Sequence, residues 1–319
     1  MTTQLNLPGC NKCKRNVAVY KRNYSGEVLC KSCFTKSIEE KVRKTLSKFS
    51  MVQYGDRVAV AVSGGKDSLT LLYILNKIFD DNTRNRLMAI TVDEGIDGYR
   101  DESLQIVKDF CSRLKIESRV LTFKESFGMD MDEALLLRSS QKISSCSICG
   151  TFRRRAIDML SESCGVNVVA TAHNLDDHIQ SFFINTFSGD IARIGWSYPE
   201  SVEYGLHGIK KVKPFIGLYE QEIVFYALHH EIPFQSEECP YMHESIRTEL
   251  RKFLNNLEDS HPGIKYNIYN SVLKVSEGLR NQRNIKRYTN CSVCERQSTS
   301  EICSVCRTQR ILLKEKIDE

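Results

Sequence analysis

No stretch of the chain approaches the ~20 consecutive apolar residues needed to cross a bilayer. The segment Met1 to Asn11 also lacks the apolar middle of a secretory signal. Membrane and export roles are thereby excluded, and the expectation is a cytoplasmic protein without membrane contact. Charge of one sign is scarce as well: 45 Lys and Arg against 40 Asp and Glu leave +5, which permits nucleic-acid binding without requiring it. Neither a fold repeat nor a low-complexity tract is present. What the 319 residues do have is 41% hydrophobic content, enough for one large core with small appendages, and 13 cysteines.

Hydrophobic patterning concentrates between Arg57 and about Leu254, whereas both ends are short, polar and rich in paired cysteines. Arg57 to Val62 reads as a buried strand and Ser68 to Phe79 as a helix with Leu69, Leu72, Tyr73, Leu75 and Phe79 on one face. Strands are further expected at Leu87–Asp93, Ile116–Phe123 and Val166–Ala172. Helices are expected at Asp101–Leu114, Thr151–Ser163 and Asp176–Phe187. Alternating strands and helices predict an α/β fold with a parallel sheet covered on both faces. Linkers are placed near Thr45–Gln53 and Gly278–Tyr288.

Between the first strand and its helix stands Ser63-Gly64-Gly65-Lys66-Asp67-Ser68. Backbone N–H groups at a helix start bind phosphate, glycines let that backbone come close, and Lys66 adds a point charge. The serine hydroxyls and Asp67 can orient phosphate oxygens or Mg²⁺. The Walker pattern G-x-x-x-x-G-K-[ST] cannot be aligned here. Asp93-Glu94-Gly95 ends the second strand, and His173-Asn174-Leu175-Asp176-Asp177-His178 follows the fourth. In open parallel sheets such strand ends converge on one crevice. Either of Asp176 and Asp177 is equally readable as a favourable helix-start residue, and His173 alone is equally open.

The segment Ser63–Ser68 resembles the signature of the PP-loop ATP pyrophosphatases (the adenine nucleotide alpha hydrolase-like fold) without a departure. That resemblance implies cleavage of ATP to AMP and pyrophosphate, with ATP contacts from Ala61, Ser63, Gly64, Gly65, Lys66, Asp67, Ser68, Asp93 and His173.

Ten of the cysteines form five Cys-x-x-Cys pairs. Reducing compartments keep thiols free, which favours metal sites over disulfides. Cys10, Cys13, Cys30 and Cys33 form one set of four, and Cys291, Cys294, Cys303 and Cys306 another. Each is the tetrahedral thiolate set of a closed structural Zn²⁺, and metal binding would fold these short segments. Basic residues surround them: Lys12, Lys14, Arg15, Lys21, Arg22 and Lys31 near the first, and Arg280, Arg283, Lys286, Arg287 and Tyr288 before the second. They form a candidate RNA surface or simply a solvated charged face. The expected division is 1–44 for the N-terminal zinc unit with its first helix, 45–285 for the catalytic core and 286–319 for the C-terminal zinc unit.

Cys146-Ser147-Ile148-Cys149, expected just before a helix, and the distant Cys239 stand outside both sets. Three thiolates can hold a [4Fe–4S] cluster with one iron open to a sulfur ligand. Alternatively two of them carry a persulfide and form a transient disulfide without iron. A third zinc site has no partner pair to complete it. Cys111 and Cys164 read as small buried hydrophobes. Arg153-Arg154-Arg155 beside the triad is placed for a phosphate of ATP or RNA, and Lys210-Lys211-Val212-Lys213 extends that path.

Three further segments carry a second resemblance: Val92 to Asp101, Cys149-Gly150-Thr151-Phe152-Arg153-Arg154-Arg155-Ala156, and Glu237-Glu238-Cys239-Pro240-Tyr241. Together they are similar to the tRNA 2-thiouridine synthetases (the TtcA/TtuA family), most of all to the archaeal and eukaryotic wobble-uridine thiolases, over nearly the whole chain. The resemblance implies a tRNA sulfurtransferase that adenylates a uridine O2 and replaces it with sulfur. It implies ATP, Mg²⁺, two Zn²⁺ and a [4Fe–4S] cluster on Cys146, Cys149 and Cys239, with Cys146, Cys239, Asp67, Arg153 and Asp177 catalytic. Implied partners are tRNA, a ubiquitin-like thiocarboxylate or sulfide as sulfur donor, and a second copy in a homodimer. The uridine-54 branch has Lys where Arg153 stands and Cys-x-x-His where this chain has Cys30-x-x-Cys33, which favours uridine 34. The competing readings are thiolation at uridine 54, nitrogen transfer on the same fold, and a non-catalytic RNA-binding zinc protein.

Overall fold

A computed structural model of the chain describes residues 8–79, 85–138, 143–199, 208–241, 246–281 and 289–313. The first ribbon carries an antiparallel pair, β1 (Tyr20–Lys21) and β2 (Val28–Leu29), followed by helix α1 (Lys31–Lys48). The core then alternates β3 (Arg57–Ala61), α2 (Lys66–Phe79), β4 (Arg86–Asp93), α3 (Arg100–Leu114) and β5 (Glu117–Thr122). Short helices α4 (Phe123–Phe127) and α5 (Met131–Leu137) lead to the long α6 (Ser145–Ser163), then β6 (Val168–Ala170), α7 (Leu175–Phe187), α8 (Ile191–Gly195) and β7 (Lys210–Val212). Helices α9 (Glu220–His229), α10 (Ile246–Ser260) and α11 (Ile264–Asn281) close the core. The second ribbon has β8 (Thr289–Asn290), β9 (Gln297–Ser298) and α12 (Ser304–Leu312).

The five core strands are parallel in the order β5-β4-β3-β6-β7. The chain fills one side of β3, then returns to fill the other, so the carboxyl end of β3 is the topological switch point where such sheets bind ligands. Successive side chains of a strand point to opposite faces. Accordingly Val58 and Val60 join one buried cluster with Leu69 and Leu72 of α2 and Phe110 of α3. Ala59 instead packs with Ile90, Val169 and Leu160 of α6 on the other face. The predicted parallel α/β sheet, covered on both sides, is thus what the chain forms.

Four local expectations are corrected. Helix α6 starts at Ser145, not Thr151, because Ser144 caps it by accepting from the Ser147 amide; Cys146 and Cys149 lie inside its first two turns. Cys-Ser-Ile-Cys-Gly has weak helix propensity, which hid this start. The stretch Thr45–Gln53 is not a loose linker, since Leu46, Phe49 and Met51 are buried. Arg22 is not part of a basic surface: it is 3% exposed and bonded to Glu222, Glu27 and Ser37. Arg155 is likewise buried and offers no phosphate contact. Arg283, Lys286, Arg287 and Tyr288 lie outside the described residues, as do the expected boundary at 285 and 286 and part of the Gly278–Tyr288 linker. No helix among the described residues is long and apolar enough to cross a membrane.

Each ribbon gathers its four sulfurs within 4.8 Å of one another. The Cys13–Cys30 and Cys294–Cys303 sulfur separations are both 3.8 Å. A tetrahedron with Zn–S bonds of about 2.3 Å has edges of about 3.8 Å, so both sets fit a single closed ion. The ribbons brace different parts of the core. Cys10, Leu29 and Cys30 belong to the cluster of α1, α2 and α9. Cys291, Cys303, Val305 and Cys306 belong to that of Ile148 and Phe152 on α6, where Cys149 and Cys239 also pack.

Glu222 of α9 fastens the first ribbon. Its carboxylate is fully buried and accepts from Arg22 Nε at 2.7 Å, Tyr24 Oη at 2.9 Å and Lys41 Nζ at 3.1 Å. Burial, then the charge of Glu222, raises the Tyr24 phenol and keeps it protonated as a donor. Glu222→Ala takes the buried partner from Arg22 Nε and from the partly exposed Lys41 and is expected to cost about 3 kcal/mol of stability, read as a lowered midpoint in denaturant unfolding.

Candidate active site

The loop Ser63–Ser68 wraps the start of α2. Ser68 Oγ accepts from the Ser63 amide at 3.1 Å and donates to the Gly65 carbonyl at 3.0 Å, which closes the turn on itself. Gly64 has φ +85, and a Cβ there would come within 2.6 Å of Ser103 Cβ. Glycine is therefore required twice, for the left-handed backbone and for the contact with α3. The loop leaves the amides at the head of α2 and the Lys66 side chain facing the crevice.

Carboxylates surround Lys66. Its Nζ is 2.8 Å from Glu220 and 3.5 Å from Asp67. Burial, with Glu220 and Asp177 adding to it and Lys66 opposing, pushes the Asp67 carboxyl up to about 6. Asp67 Oδ1 is shut off from solvent and has no hydrogen-bond partner among the described residues. An unsatisfied buried carboxylate oxygen beside two more acids is a donor set that suits a hard divalent cation.

The structure separates the two aspartates that the sequence presents as equals. Asp176 is buried and accepts from the Glu220 amide at 2.9 Å and from buried Lys265, so it ties α7 to α9 and α11. Asp177 faces the crevice, where it caps its own helix through the Asn174 amide at 3.3 Å and lies 3.8 Å from Arg247. His173 sits 2.9 Å from Thr171 Oγ1 at the end of β6. The side chain is open to solvent on one side, yet desolvation by the protein around it and then the charges of Lys213, Arg247, Arg153 and Arg154 lower its pKa to about 3. Burial likewise pulls down the Lys213 ammonium, which faces Asp177. Asp93 accepts from the Gly95 amide at 2.9 Å, and Ala61 ends β3.

The three core cysteines meet at the start of α6. Cys146 Sγ is 3.9 Å from the Tyr241 carbonyl, which also accepts from Ser145 Oγ at 3.3 Å, so the Cys239 segment is laid against the head of the helix. Tyr241 Oη donates to Asp132 at 2.7 Å and anchors the same segment from the other side. Cys239 and Cys149 pack on one apolar cluster. Burial raises the Cys149 thiol to about 11, with Arg153 opposing. Among the described residues only the ribbons hold three or more ligand atoms within 4.8 Å of one another. The triad is thus not drawn in to the spacing of a single closed ion, and three thiolates apart from either ribbon are a donor set that suits a group in which each binds a different metal atom.

Three residues without an assigned role in the sequence reading connect these parts. Arg100 donates to the Ser63 carbonyl at 2.9 Å and the Val92 carbonyl at 2.7 Å, and its Nε lies 2.8 Å from Glu94 Oε2. Glu94 Oε1 accepts from Arg153 Nε at 2.6 Å, and Arg153 Nη2 is 3.3 Å from Cys149 Sγ. Gln235 donates its amide to the Gly64 carbonyl at 3.1 Å and its side chain to the Tyr99 carbonyl. Four residues separate Gln235 from Cys239, a span of at most about 14 Å. The phosphate loop and the Cys239 segment are therefore tied close together. Nothing in the periodicity signals Arg100 or Gln235, since both act through backbone carbonyls that only the fold brings near.

Of the remaining basic residues, Lys211 is paired with Asp158 at 2.6 Å on the edge strand β7, too short a strand for the sequence pattern to show. Arg154 is exposed on α6 with Arg193 near it.

The PP-loop domain family matches residues 35–258. Cytoplasmic tRNA 2-thiolation protein 1 from Malassezia globosa is 34% identical, covering 93% of this chain and 85% of the relative. The tRNA 2-thiolation protein NcsA from Haloferax volcanii is 31% identical over 93% of this chain and 97% of its own. Among solved structures, the U34-tRNA thiolase NcsA from Methanococcus maripaludis with its 4Fe–4S cluster superposes with a TM-score of 0.82 at 32% identity, covering 98% and 97% of the two chains. With the crevice, the triad and these similarities in agreement, the chain belongs to the PP-loop family, in the group of the cytoplasmic tRNA 2-thiolation protein 1 and NcsA proteins.

Proposed function

We propose that the chain is a cytoplasmic tRNA sulfurtransferase that uses ATP to convert a uridine, position 34 of the wobble anticodon site, into 2-thiouridine. The observation that carries this reading is one chain of contacts, through Arg100, Glu94 and Arg153, that links a phosphate-binding helix start to three free cysteines. A binding protein would need neither, and nitrogen-transferring relatives of the fold have no use for the triad.

In this reading the uridine O2 attacks the α-phosphate of ATP and pyrophosphate leaves. Sulfur delivered beside Cys146 and Cys239 then attacks C2 and expels AMP, the adenylate having made the oxygen a good leaving group. The amides at the head of α2 and Lys66 offset charge on the departing pyrophosphate. Lys66 must exchange Glu220 for phosphate to do so. Asp67 and Asp177 would hold Mg²⁺, which would offset phosphate charge, and neutral His173 can donate to or accept from the nucleotide without adding charge. Cys146, Cys149 and Cys239 hold a [4Fe–4S] cluster, which supplies an open iron for binding sulfur. The ribbons would hold one structural Zn²⁺ each, in a chain divided at 1–44, 45–285 and 286–319. Partners are tRNA, a sulfide or ubiquitin-like thiocarboxylate donor, and a second copy of the chain.

Incubation with unmodified tRNA, ATP and sulfide under anaerobic conditions is expected to release AMP and pyrophosphate and to place 2-thiouridine at position 34, read by mass spectrometry of mapped tRNA fragments. Thiolation at 54 would redirect the substrate assignment, and tRNA binding without AMP release would favour the binding protein. Cys239→Ala is expected to keep tRNA and ATP affinity while losing thiolation; an active variant refutes a sulfur role for the triad. Elemental analysis of Cys30→Ser and Cys303→Ser should show each losing the zinc of one ribbon only.

A further inference from the structure

We infer that Glu94 is a positioning residue for the sulfur site: it holds the Arg153 guanidinium against the Cys149 sulfur, and the position requires Arg because only a guanidinium reaches both groups. The inference rests on the proposed reading of Cys146, Cys149 and Cys239 as cluster ligands.

Cys149 and Arg153 are one helical turn apart on α6, so both project from the same face. The guanidinium divides its donors, with Nε on Glu94 Oε1 at 2.6 Å and Nη2 at 3.3 Å from Cys149 Sγ. A lysine has one nitrogen, and it would have to bring both acceptors onto a single atom; the planar fork of arginine presents separate donors in fixed directions. The side chain of Arg153 is 47% exposed, so on its own it would sample many rotamers. Glu94 removes that freedom. Its side chain is 3% exposed, its backbone carbonyl accepts from the Met131 amide at 2.8 Å, and its second oxygen faces Arg100 Nε at 2.8 Å. Arg100 in turn is fixed by the carbonyls of Ser63 and Val92. Arg100 pairs with Glu94 and lies 4.0 Å from Asp93, so Arg153 is the cation set directly against Cys149. Three thiolates on a cluster bring negative charge to that point, and hydrogen bonds and cations at ligand sulfurs stabilise the reduced form. Because Arg100 bonds the first residue of the phosphate loop, the same chain of contacts fixes where the sulfur site stands relative to the nucleotide.

The test uses the full chain reconstituted anaerobically with iron and sulfide, as wild type, Arg153→Lys and Glu94→Gln. Spectroelectrochemical titration is expected to show the cluster midpoint moving to more negative potential in Arg153→Lys, which loses the hydrogen bond to Cys149 Sγ, with a changed electron paramagnetic resonance spectrum and ATP binding retained; Glu94→Gln is expected to change the same spectrum. Glu94→Gln takes the carboxylate from buried Arg100; should it fail to fold, Arg153→Lys at the half-exposed position decides alone. A brown Arg153→Lys protein with the wild-type potential and spectrum overturns the inference and leaves the proposed function standing. A wild type that takes up no iron overturns both.

Discussion

Arg100 occupies the point on which the arrangement of the cleft depends. A guanidinium that is 5% exposed donates to two backbone carbonyls from neighbouring strand ends and pairs by charge with one buried carboxylate. This joins the end of β3 to the end of β4 at the switch point of the sheet. Glu94 passes the constraint on to α6, where the sulfurs stand. A phosphate loop and a cysteine triad drawn from distant segments of the chain are thereby fixed relative to each other by charge pairs largely taken out of water, where misalignment is costly.

The two ribbons brace opposite halves of this arrangement. The first packs into the cluster beneath α2 and is locked by buried Glu222, two residues after the Glu220 that meets Lys66. The second packs on α6 beside Phe152 and Cys149, and Arg296 reaches Glu162 of the same helix at 3.2 Å. Neither ribbon has enough apolar residues to form a core of its own, so each borrows one from the half it supports.

Much of the fold could be read directly. Alternation of strand and helix gave the parallel sheet, the Ser63–Ser68 motif lay at the predicted strand end, and the spacing of eight cysteines gave two closed tetrahedral sets. These features are local, set by periodicity or by short-range spacing. The misreadings share one cause as well. Arg22, Arg155 and Thr45–Gln53 look polar in sequence but are buried, because burial depends on what packs against a residue rather than on its own chemistry. The start of α6 escaped notice because a serine cap and tertiary packing overrode the weak helix propensity around Cys146 and Gly150.

By itself the sequence determined which chemical groups are available: a glycine loop at a helix start, eight thiols in two ribbons and three thiols apart from them. Tertiary structure decided which of those groups meet. Asp176 and Asp177 are adjacent acids opening the same helix, yet one is consumed by Lys265 and the Glu220 amide while the other faces the crevice. Cys239 comes beside Cys146 and Cys149 only because the Gln235 amide is tied to Gly64 and the Tyr241 segment is anchored at both ends. The physical reason is the same throughout: spacing along a chain fixes contacts within about a helical turn, whereas contacts across a hundred residues are chosen by which buried polar groups can satisfy one another once the sheet has formed.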